Sequence, residues 1–220
     1  MVINKYLAEA LGTFILVFVG SMSILAVQAT SGPVMAVVPL GFGLALMAGI
    51  YTVGHVSGGH FNPAVTLAMW LDKRTTTSDM IGYWIGQVAG GFAAAGALAG
   101  VTGSNAAVGG TTTVPGAGVG NGAAFAVEFI LSLVFIWVIL TVTKRAANLA
   151  GFVIPLTLVV VHLAGIPFSG ASVNPARTLG PSVVGAQGSA VWIYLLAPLA
   201  GGAIAWVFSR IFDEEAEAAG

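Results

Sequence analysis

The chain contains no cysteine and has few charged residues for its length. Among its 220 residues, Asp, Glu, Lys and Arg together make up 7%, while 57% of the residues are hydrophobic. Soluble domains usually carry about 25% charged residues. The absence of cysteine excludes a disulfide framework and leaves no redox clue. The scarcity of charge, with a mean hydropathy of +0.98, predicts an integral membrane protein.

Six stretches of the sequence are long enough to cross a membrane, which takes roughly 20 apolar residues. They are residues 6–27, 34–54, 80–101, 123–142, 149–166 and 190–209. Two shorter apolar pieces, 64–71 and 176–184, would each reach about 12–14 Å as helices, which is half a bilayer. The sequence therefore predicts an all-α membrane protein with six transmembrane helices and two re-entrant half-helices.

The same tripeptide precedes both short pieces. Asn62-Pro63-Ala64 lies in the first half of the chain, and Asn174-Pro175-Ala176 lies in the second. Asparagine is a favoured helix N-cap and proline is pre-shaped for the first helical position, so each triplet indicates a helix that starts abruptly. One copy alone would be read as an ordinary capped turn, whereas two copies at repeat spacing favour a functional site.

Further pairs recur at a similar spacing and indicate an internal repeat. Gly90-Gly91 is followed by Gly201-Gly202, and Glu9 is followed by Glu128 early in a later span. We interpret residues 1–220 as a single membrane channel domain with repeats at about 1–105 and 121–220, and 213–220 as a short acidic tail. Three crossings per repeat force the second copy to enter from the opposite face. The half-helices then begin near the midplane, where irregular backbone is tolerated only beside protein or a water-filled cavity.

The basic residues predict the orientation. Six of them fall at the N-terminus, in two connections or at the C-terminus, which six crossings place on one side: Lys5, Lys73, Arg74, Lys144, Arg145 and Arg210. By the positive-inside rule this side is the cytoplasm. We therefore expect a multi-pass protein of the cell membrane with both termini cytoplasmic.

A pore between the two halves would suit a small neutral solute. The Asn62 and Asn174 amides can donate hydrogen bonds into the lumen, and the residues leading into the half-helices can offer backbone carbonyls. These residues are Gly58, Gly59, His60 and Phe61 in the first half, and Gly170, Ala171, Ser172 and Val173 in the second. Two facing positive helix ends together with Arg177 oppose the passage of cations and protons.

Glu9 and Glu128 have two interpretations. Intramembrane carboxylates often relay protons. They can also accept hydrogen bonds from the loop N–H groups that the re-entrant segments leave without helical partners. We favour the structural role.

Segments 55–66 and 172–177 resemble the two pore signatures of the aquaporin, or major intrinsic protein, family, and the resemblance extends over essentially the whole chain. It implies a homotetramer and a structural role for Glu9 and Glu128. It also implies an external constriction of four positions, which match Phe42, His162, Ala171 and Arg177. Residue counting independently places Phe42, His162 and Arg177 in the outer half of the membrane.

The residues at the constriction resemble those of the water-selective branch of that family, which uses phenylalanine and histidine there. Glycerol-conducting relatives usually have an aspartate where this chain has Thr178. Two positions depart from the water-channel pattern. Ala171 is smaller than the usual threonine or cysteine, and Leu195 stands where tryptophan is common.

We therefore expect a passive channel that conducts water single file, embedded in the lipid bilayer, with no catalytic activity, cofactor, bound metal or nucleic-acid partner. The alternative is a mixed channel for small neutral solutes such as glycerol or ammonia. A membrane enzyme with a histidine metal site has little support, because His60 and His162 lack a metal-binding spacing. A membrane scaffold protein with a closed pore is the remaining non-channel alternative.

Overall fold

The structure is a computed structural model that describes residues 2–218, with side chains from residue 4 to residue 214. Within these residues the chain forms nine helices and no strand. They are α1 (Val2–Thr30), α2 (Val34–Ser57), α3 (Pro63–Leu71), α4 (Thr77–Thr102), α5 (Asn105–Gly109), α6 (Asn121–Arg145), α7 (Ala147–Ser169), α8 (Pro175–Val184) and α9 (Val191–Ala218).

Six of these helices, α1, α2, α4, α6, α7 and α9, are long and apolar enough to cross a membrane. Helices α3 and α8 have nine and ten residues and follow the two asparagines directly. The prediction of six transmembrane helices and two half-helices is therefore confirmed.

The helices extend beyond most of the predicted spans. Helix α2 continues to Ser57 and α7 to Ser169, and a glycine in the left-handed conformation then ends each of them. Gly58 has φ 93° and Gly170 has φ 80°. Their N–H groups donate to Gly54 and Ile166, which caps the free carbonyls of the last turn. Hydropathy locates the hydrocarbon-spanning part of a helix, whereas such caps decide where it ends.

Two terminal or connecting segments are more helical than their composition suggests. The Gly- and Thr-rich connection between α4 and α6 contains α5, which Ser104 caps by accepting a hydrogen bond from the Ala107 N–H at 3.3 Å. Helix α9 continues through the predicted acidic tail as far as Ala218. Asp213 contacts Lys144 at 2.8 Å and Arg145 at 2.9 Å, which holds the start of that segment against α6. The end of the predicted tail, 219–220, lies outside the described residues.

The connections between the helices define two faces of the bundle. Residues 31–33, 103–120 and 185–190 contain no Asp, Glu, Lys or Arg, and we call their side the charge-free face. The connection 72–76 lies at the other side, where Lys144 contacts Asp72 at 2.9 Å and Lys5 contacts Asp79 at 2.6 Å. We call this side the basic face.

The two halves of the bundle are interlocked. Helix α3 packs mainly against α9, and α8 packs mainly against α4, so each half-helix rests on the last long helix of the opposite repeat. The recurring glycines allow this approach. A Cβ at Gly91 would lie 2.5 Å from the Ala176 carbonyl oxygen, and one at Gly202 would lie 2.9 Å from that of Ala64. Both motif alanines thus need a glycine opposite them.

Close packing of α1 on α4 generates a test of the fold. A Cβ added at Gly90 would overlap the backbone of Ala10, whereas a Cβ at Gly96 on the same helix would meet no atom within 4 Å. We expect Gly90→Ala to lower the free energy of unfolding by about 1–3 kcal/mol, because the two helices must move apart. Gly96→Ala is the matched control and should not destabilise the protein. Thermal unfolding in detergent, followed by tryptophan fluorescence, measures the difference, and equal stabilities would contradict this packing.

Candidate functional site

The two asparagines bring the half-helix N-termini together at the centre of the bundle. The Asn62 Oδ1 accepts from the Ala64 N–H at 2.9 Å and thereby caps α3. Its Nδ2 donates to the Val173 carbonyl at 2.8 Å, in the segment that leads into α8. The side chain therefore caps one half-helix and holds the approach to the other.

Asn174 makes the mirror-image contacts. Its Oδ1 accepts from the N–H groups of Ala176 at 3.0 Å and Arg177 at 3.3 Å, and its Nδ2 donates to the Phe61 carbonyl at 2.9 Å. An amide nitrogen carries two protons, and one of them is used across the interface in each case. Both asparagines line the central cavity, so each has one N–H left to donate to a molecule inside it.

Glu9 holds the turn that leads into α3. Its Oε1 accepts from the Ser57 hydroxyl at 2.6 Å and the His60 N–H at 2.9 Å. Its Oε2 accepts from the Phe61 N–H at 2.7 Å and from the Gln87 side-chain amide at 2.7 Å. Glu9 is fully buried. These contacts favour the structural role over the proton relay.

Glu128 does the same for the turn that leads into α8, and it is also fully buried. Its Oε1 accepts from the Ser169 hydroxyl at 2.7 Å and the Ser172 N–H at 2.8 Å, and its Oε2 accepts from the Val173 N–H at 2.8 Å. Peptide groups this deep in a membrane protein have no bulk water to bond. The two glutamates supply the acceptors that the turns require.

Both turns have a strained backbone. Phe61 has φ 47°, Ala171 has φ 51° and Val173 has φ 46°, all in the left-handed region that residues other than glycine rarely adopt. Val173 is β-branched, which makes this conformation especially unfavourable. Such strain persists where the surroundings fix the chain, and the bonds to the glutamates do so here.

Two tyrosines that were not predicted from the sequence hydrogen-bond to the chain at the start of the same turns. The Tyr83 hydroxyl donates to the Ser57 carbonyl at 2.7 Å, and the Tyr194 hydroxyl donates to the Ser169 carbonyl at 2.7 Å. The offset along the chain from Tyr83 to Tyr194 equals the offset between the two glycine pairs. That shared offset is the signal that would have found them.

Three of the four predicted constriction residues come together. The rings of Phe42 and His162 stack with their centroids 4.9 Å apart. The Arg177 guanidinium carbon lies 4.7 Å from the centroid of Phe42. All three side chains are buried and line both the central cavity and the cavity on the charge-free face.

Ala171 is fully buried, with its Cβ packed beside Gly165. Among the described residues that line these two cavities, its neighbours Gly170 and Ser172 are present and Ala171 is not. Its place in the constriction therefore stays a prediction.

Two polar atoms of this group have no hydrogen-bond partner among the described residues, the His162 Nε2 and the Arg177 Nε. The His162 Nδ1 lies 2.9 Å from the Leu158 carbonyl, which can only accept, so Nδ1 carries a proton. In the neutral ring Nε2 is then an acceptor, and none of the described side chains or peptide groups bonds it. The Arg177 Nη1 donates to the Thr111 carbonyl at 3.0 Å, while its Nε has no partner within residues 4–214. The apolar Phe42 ring faces these groups.

The central cavity shares lining residues with a cavity on each face of the bundle. The central cavity has a volume of about 40 Å³. A wider cavity of about 330 Å³ lies on the charge-free face, and one of about 270 Å³ lies on the basic face. The central cavity shares Phe42, His162 and Arg177 with the first and Gly58, His60 and Met69 with the second.

The residues predicted to offer backbone carbonyls to the pore differ in position. Gly58, Gly59, His60, Ser172 and Val173 line the central cavity, and Gly170 lines the cavity on the charge-free face. Phe61 is fully buried, and its carbonyl accepts from Asn174. The connection 103–120, to which the sequence analysis gave no role, contributes the Thr111 carbonyl that holds Arg177. A backbone contact of this kind leaves no residue pattern in the sequence.

Comparison with known proteins agrees with this geometry. The family model described as "Major intrinsic protein" matches residues 1–208. The "Glycerol uptake facilitator protein-like 6" of Lactiplantibacillus plantarum is 40% identical over 96% of this chain and 99% of its own length. The aquaporin Z of Rhodopseudomonas palustris is 39% identical over 96% of this chain and 94% of its own.

A solved structure has the same fold. The X-ray structure of the aquaglyceroporin from Plasmodium falciparum matches with a TM-score of 0.83 and covers 94% of this chain and 95% of that one. Its sequence identity is 24%, so this likeness concerns the fold alone.

The hydrogen bonds of Glu128 generate a test of its role. In Glu128→Gln one acceptor oxygen becomes an amide donor facing the N–H or O–H groups of the turn. We expect a loss of about 2 kcal/mol or more in the free energy of unfolding, because a buried donor is left unpaired. Glu214→Gln, at an exposed position, is the control and should behave as the wild type. Thermal unfolding in detergent measures both, and a Glu128→Gln protein as stable as the control would exclude this role.

Proposed function

The chain belongs to the major intrinsic protein family of membrane channels, and on this premise we propose that it conducts water single file by passive diffusion between its two faces. The observation that carries the proposal is the buried ring of Phe42, His162 and Arg177 at the entrance of a central cavity of about 40 Å³. One water needs roughly 10–15 Å³ of such space. The cavity therefore accommodates a few water molecules in a row.

The polar lining supports water as the permeant. The free N–H groups of Asn62 and Asn174 donate to the oxygen of a water at the centre, and the His162 Nε2 accepts at the constriction. Much of the remaining wall is apolar, with Leu16, Leu46 and Ile139 among its members. Water thus forms hydrogen bonds with a few fixed polar groups and makes only weak contacts with the apolar wall.

Ions are excluded by electrostatics and by the loss of their hydration shell. Two half-helices direct their N-terminal ends, each with a partial positive charge, towards the centre of the bundle, and Arg177 adds a full positive charge. This combination repels cations and protons. Anions have to shed their hydration shell to enter a central cavity of about 40 Å³, and this desolvation opposes their entry.

A mixed channel that also passes glycerol is the second candidate. The small side chain of Ala171 favours it, as does the similarity to a protein named glycerol uptake facilitator-like. The stacked Phe42 and His162 rings favour water, because together they leave little width for a carbon skeleton.

The orientation and the assembly are part of the same proposal. The basic face lies at the cytoplasm, with both termini, because Lys5, Lys144 and Arg210 obey the positive-inside rule there. The membrane is the cell membrane. The functional unit is a homotetramer, as family membership implies.

Stopped-flow light scattering of proteoliposomes tests the proposal. Vesicles with the protein should shrink faster than protein-free vesicles in a sucrose gradient, and they should not re-swell rapidly in a glycerol gradient. Rapid re-swelling would replace strict water selectivity with the mixed channel. No acceleration in either gradient would overturn the channel proposal in favour of a scaffold.

The constriction generates a second prediction. His162→Gly together with Phe42→Trp should raise glycerol permeability by about tenfold or more, because the missing imidazole opens space beside an apolar wall. The same proteoliposome assay measures it.

The matched control is Leu163→Gly together with Phe152→Trp, since both side chains are exposed on the outer surface of α7. It should exclude glycerol as the wild type does. Unchanged glycerol exclusion in a folded, water-conducting His162→Gly/Phe42→Trp protein would contradict the assignment of these residues to the constriction.

A further inference from the structure

The first half-helix is held by a side chain from a transmembrane helix. The Thr66 hydroxyl donates to the Asn62 carbonyl at 3.1 Å, and it accepts from the Gln87 Nε2 at 2.8 Å. The same Nε2 donates to Glu9 at 2.7 Å. Gln87 on α4 thus joins the buried glutamate to the threonine that follows the asparagine motif.

The second half of the chain has no glutamine at the equivalent position. Tyr83 and Tyr194 are equivalent by their contacts, and the same offset along the chain makes Pro198 the counterpart of Gln87. Proline has no side-chain donor. The Oε2 of Glu128 accordingly accepts from the Val173 N–H, with no counterpart of the bond from Gln87 among the described contacts. Thr178, the counterpart of Thr66, needs a donor from elsewhere.

Thr113 of the charge-free connection supplies that donor. Its hydroxyl lies 2.8 Å from that of Thr178, which lies 2.5 Å from that of Ser172. The Ser172 hydroxyl donates to the Asn174 carbonyl at 2.9 Å. Because a hydroxyl has one proton and a carbonyl can only accept, Thr178 must donate to Ser172, and Thr113 must donate to Thr178.

This chain of hydroxyl groups is buried from end to end, with exposed fractions of 4% for Thr113, 0% for Thr178 and 2% for Ser172. Buried chains of this kind are rigid when every member is satisfied. These bonds therefore fix Thr113, in the middle of segment 110–116, to α8. Other bonds hold the ends of this segment, from the Gln28 side chain to the Gly110 carbonyl at 3.2 Å and from the Gly116 N–H to the Phe168 carbonyl at 2.8 Å.

The fixed segment also holds the charged group of the constriction. The Thr111 carbonyl, shortly before Thr113 in the chain, accepts from the Arg177 Nη1 at 3.0 Å. We propose that Thr113 is a positioning residue that takes the place of the missing glutamine and, through Thr111 and Arg177, sets the width of the constriction. This inference rests on the proposed function. A residue outside the constriction would then help to determine which solutes pass.

Thr113→Val tests the inference, because valine keeps the shape and removes the hydroxyl. We expect the ratio of glycerol to water permeability to rise about fivefold in proteoliposomes, the effect of one net hydrogen bond on the position of Arg177. Thr113→Ser retains the donor and should keep the wild-type ratio. Thr112→Val is the matched control, because the Thr112 hydroxyl, in the same segment, has no hydrogen-bond partner among the residues whose side chains are described.

A double-mutant comparison separates positioning from general damage. If Thr113 acts through Arg177, Thr113→Val should not change the ratio further in an Arg177→Val background. An equal rise in both backgrounds would overturn the inference, and so would a wild-type ratio in a folded Thr113→Val protein.

The wild-type arm of the experiment tests the proposed function separately. A wild type that conducts no water overturns that function, and the inference falls with it, whereas a conducting wild type with an unaltered Thr113→Val ratio overturns the inference alone. If Thr113→Val does not fold, Thr178→Val removes the middle hydroxyl in the same assay. Loss of folded protein in both, with Thr112→Val folded, would assign the chain of hydroxyls to folding and overturn a role in selectivity.

Discussion

Two buried glutamates accept hydrogen bonds from backbone N–H groups, and the rest of this structure depends on these bonds. A half-helix that starts inside a membrane requires a stretch of irregular chain at the same depth, and the peptide groups of that stretch have no water to bond. Glu9 accepts from the N–H groups of His60 and Phe61. Glu128 accepts from those of Ser172 and Val173. With these bonds in place, the turns hold left-handed residues and present the asparagines to the centre.

The inverted repeat explains why the site is nearly symmetric. Small departures from this symmetry explain why the two ends of the site differ. Each asparagine bonds the turn of the opposite half, and each motif alanine packs against a glycine of the opposite half. The symmetry fails where Pro198 replaces the counterpart of Gln87. Towards the basic face, Gln87 of a membrane helix donates to the threonine after the first motif. Towards the charge-free face, Thr113 of a connecting segment donates to the threonine after the second motif. Phe42, His162 and Arg177 line the cavity at the end where that segment takes part.

The fold was predictable from the sequence because membrane thickness and helix capping leave few alternatives. Spans of about 20 apolar residues fit the thickness of a membrane, and two copies of Asn-Pro-Ala at repeat spacing favour helix starts at Asn62 and Asn174. The contacts of Thr111 and Thr113 were not predictable. They lie in a segment without periodicity, and one of them uses a backbone carbonyl that any residue would have. Residue counting placed Phe42, His162 and Arg177 in the outer half of the membrane, but only the packing of α2, α7 and α8 shows that they meet.

Selection between water and glycerol depends on too few atoms for overall sequence similarity to decide it. Two polar atoms at the proposed constriction, the His162 Nε2 and the Arg177 Nε, have no hydrogen-bond partner in the part of the chain that the structure describes. A water molecule can bond both in turn, since it donates and accepts in any orientation. A glycerol molecule presents C–H groups along one side, and in so narrow a ring it would leave one of these buried polar atoms unpaired, at a cost of about 1–3 kcal/mol. In the proposed water channel, these two atoms therefore disfavour glycerol for as long as Arg177 is held where the Thr111 carbonyl holds it.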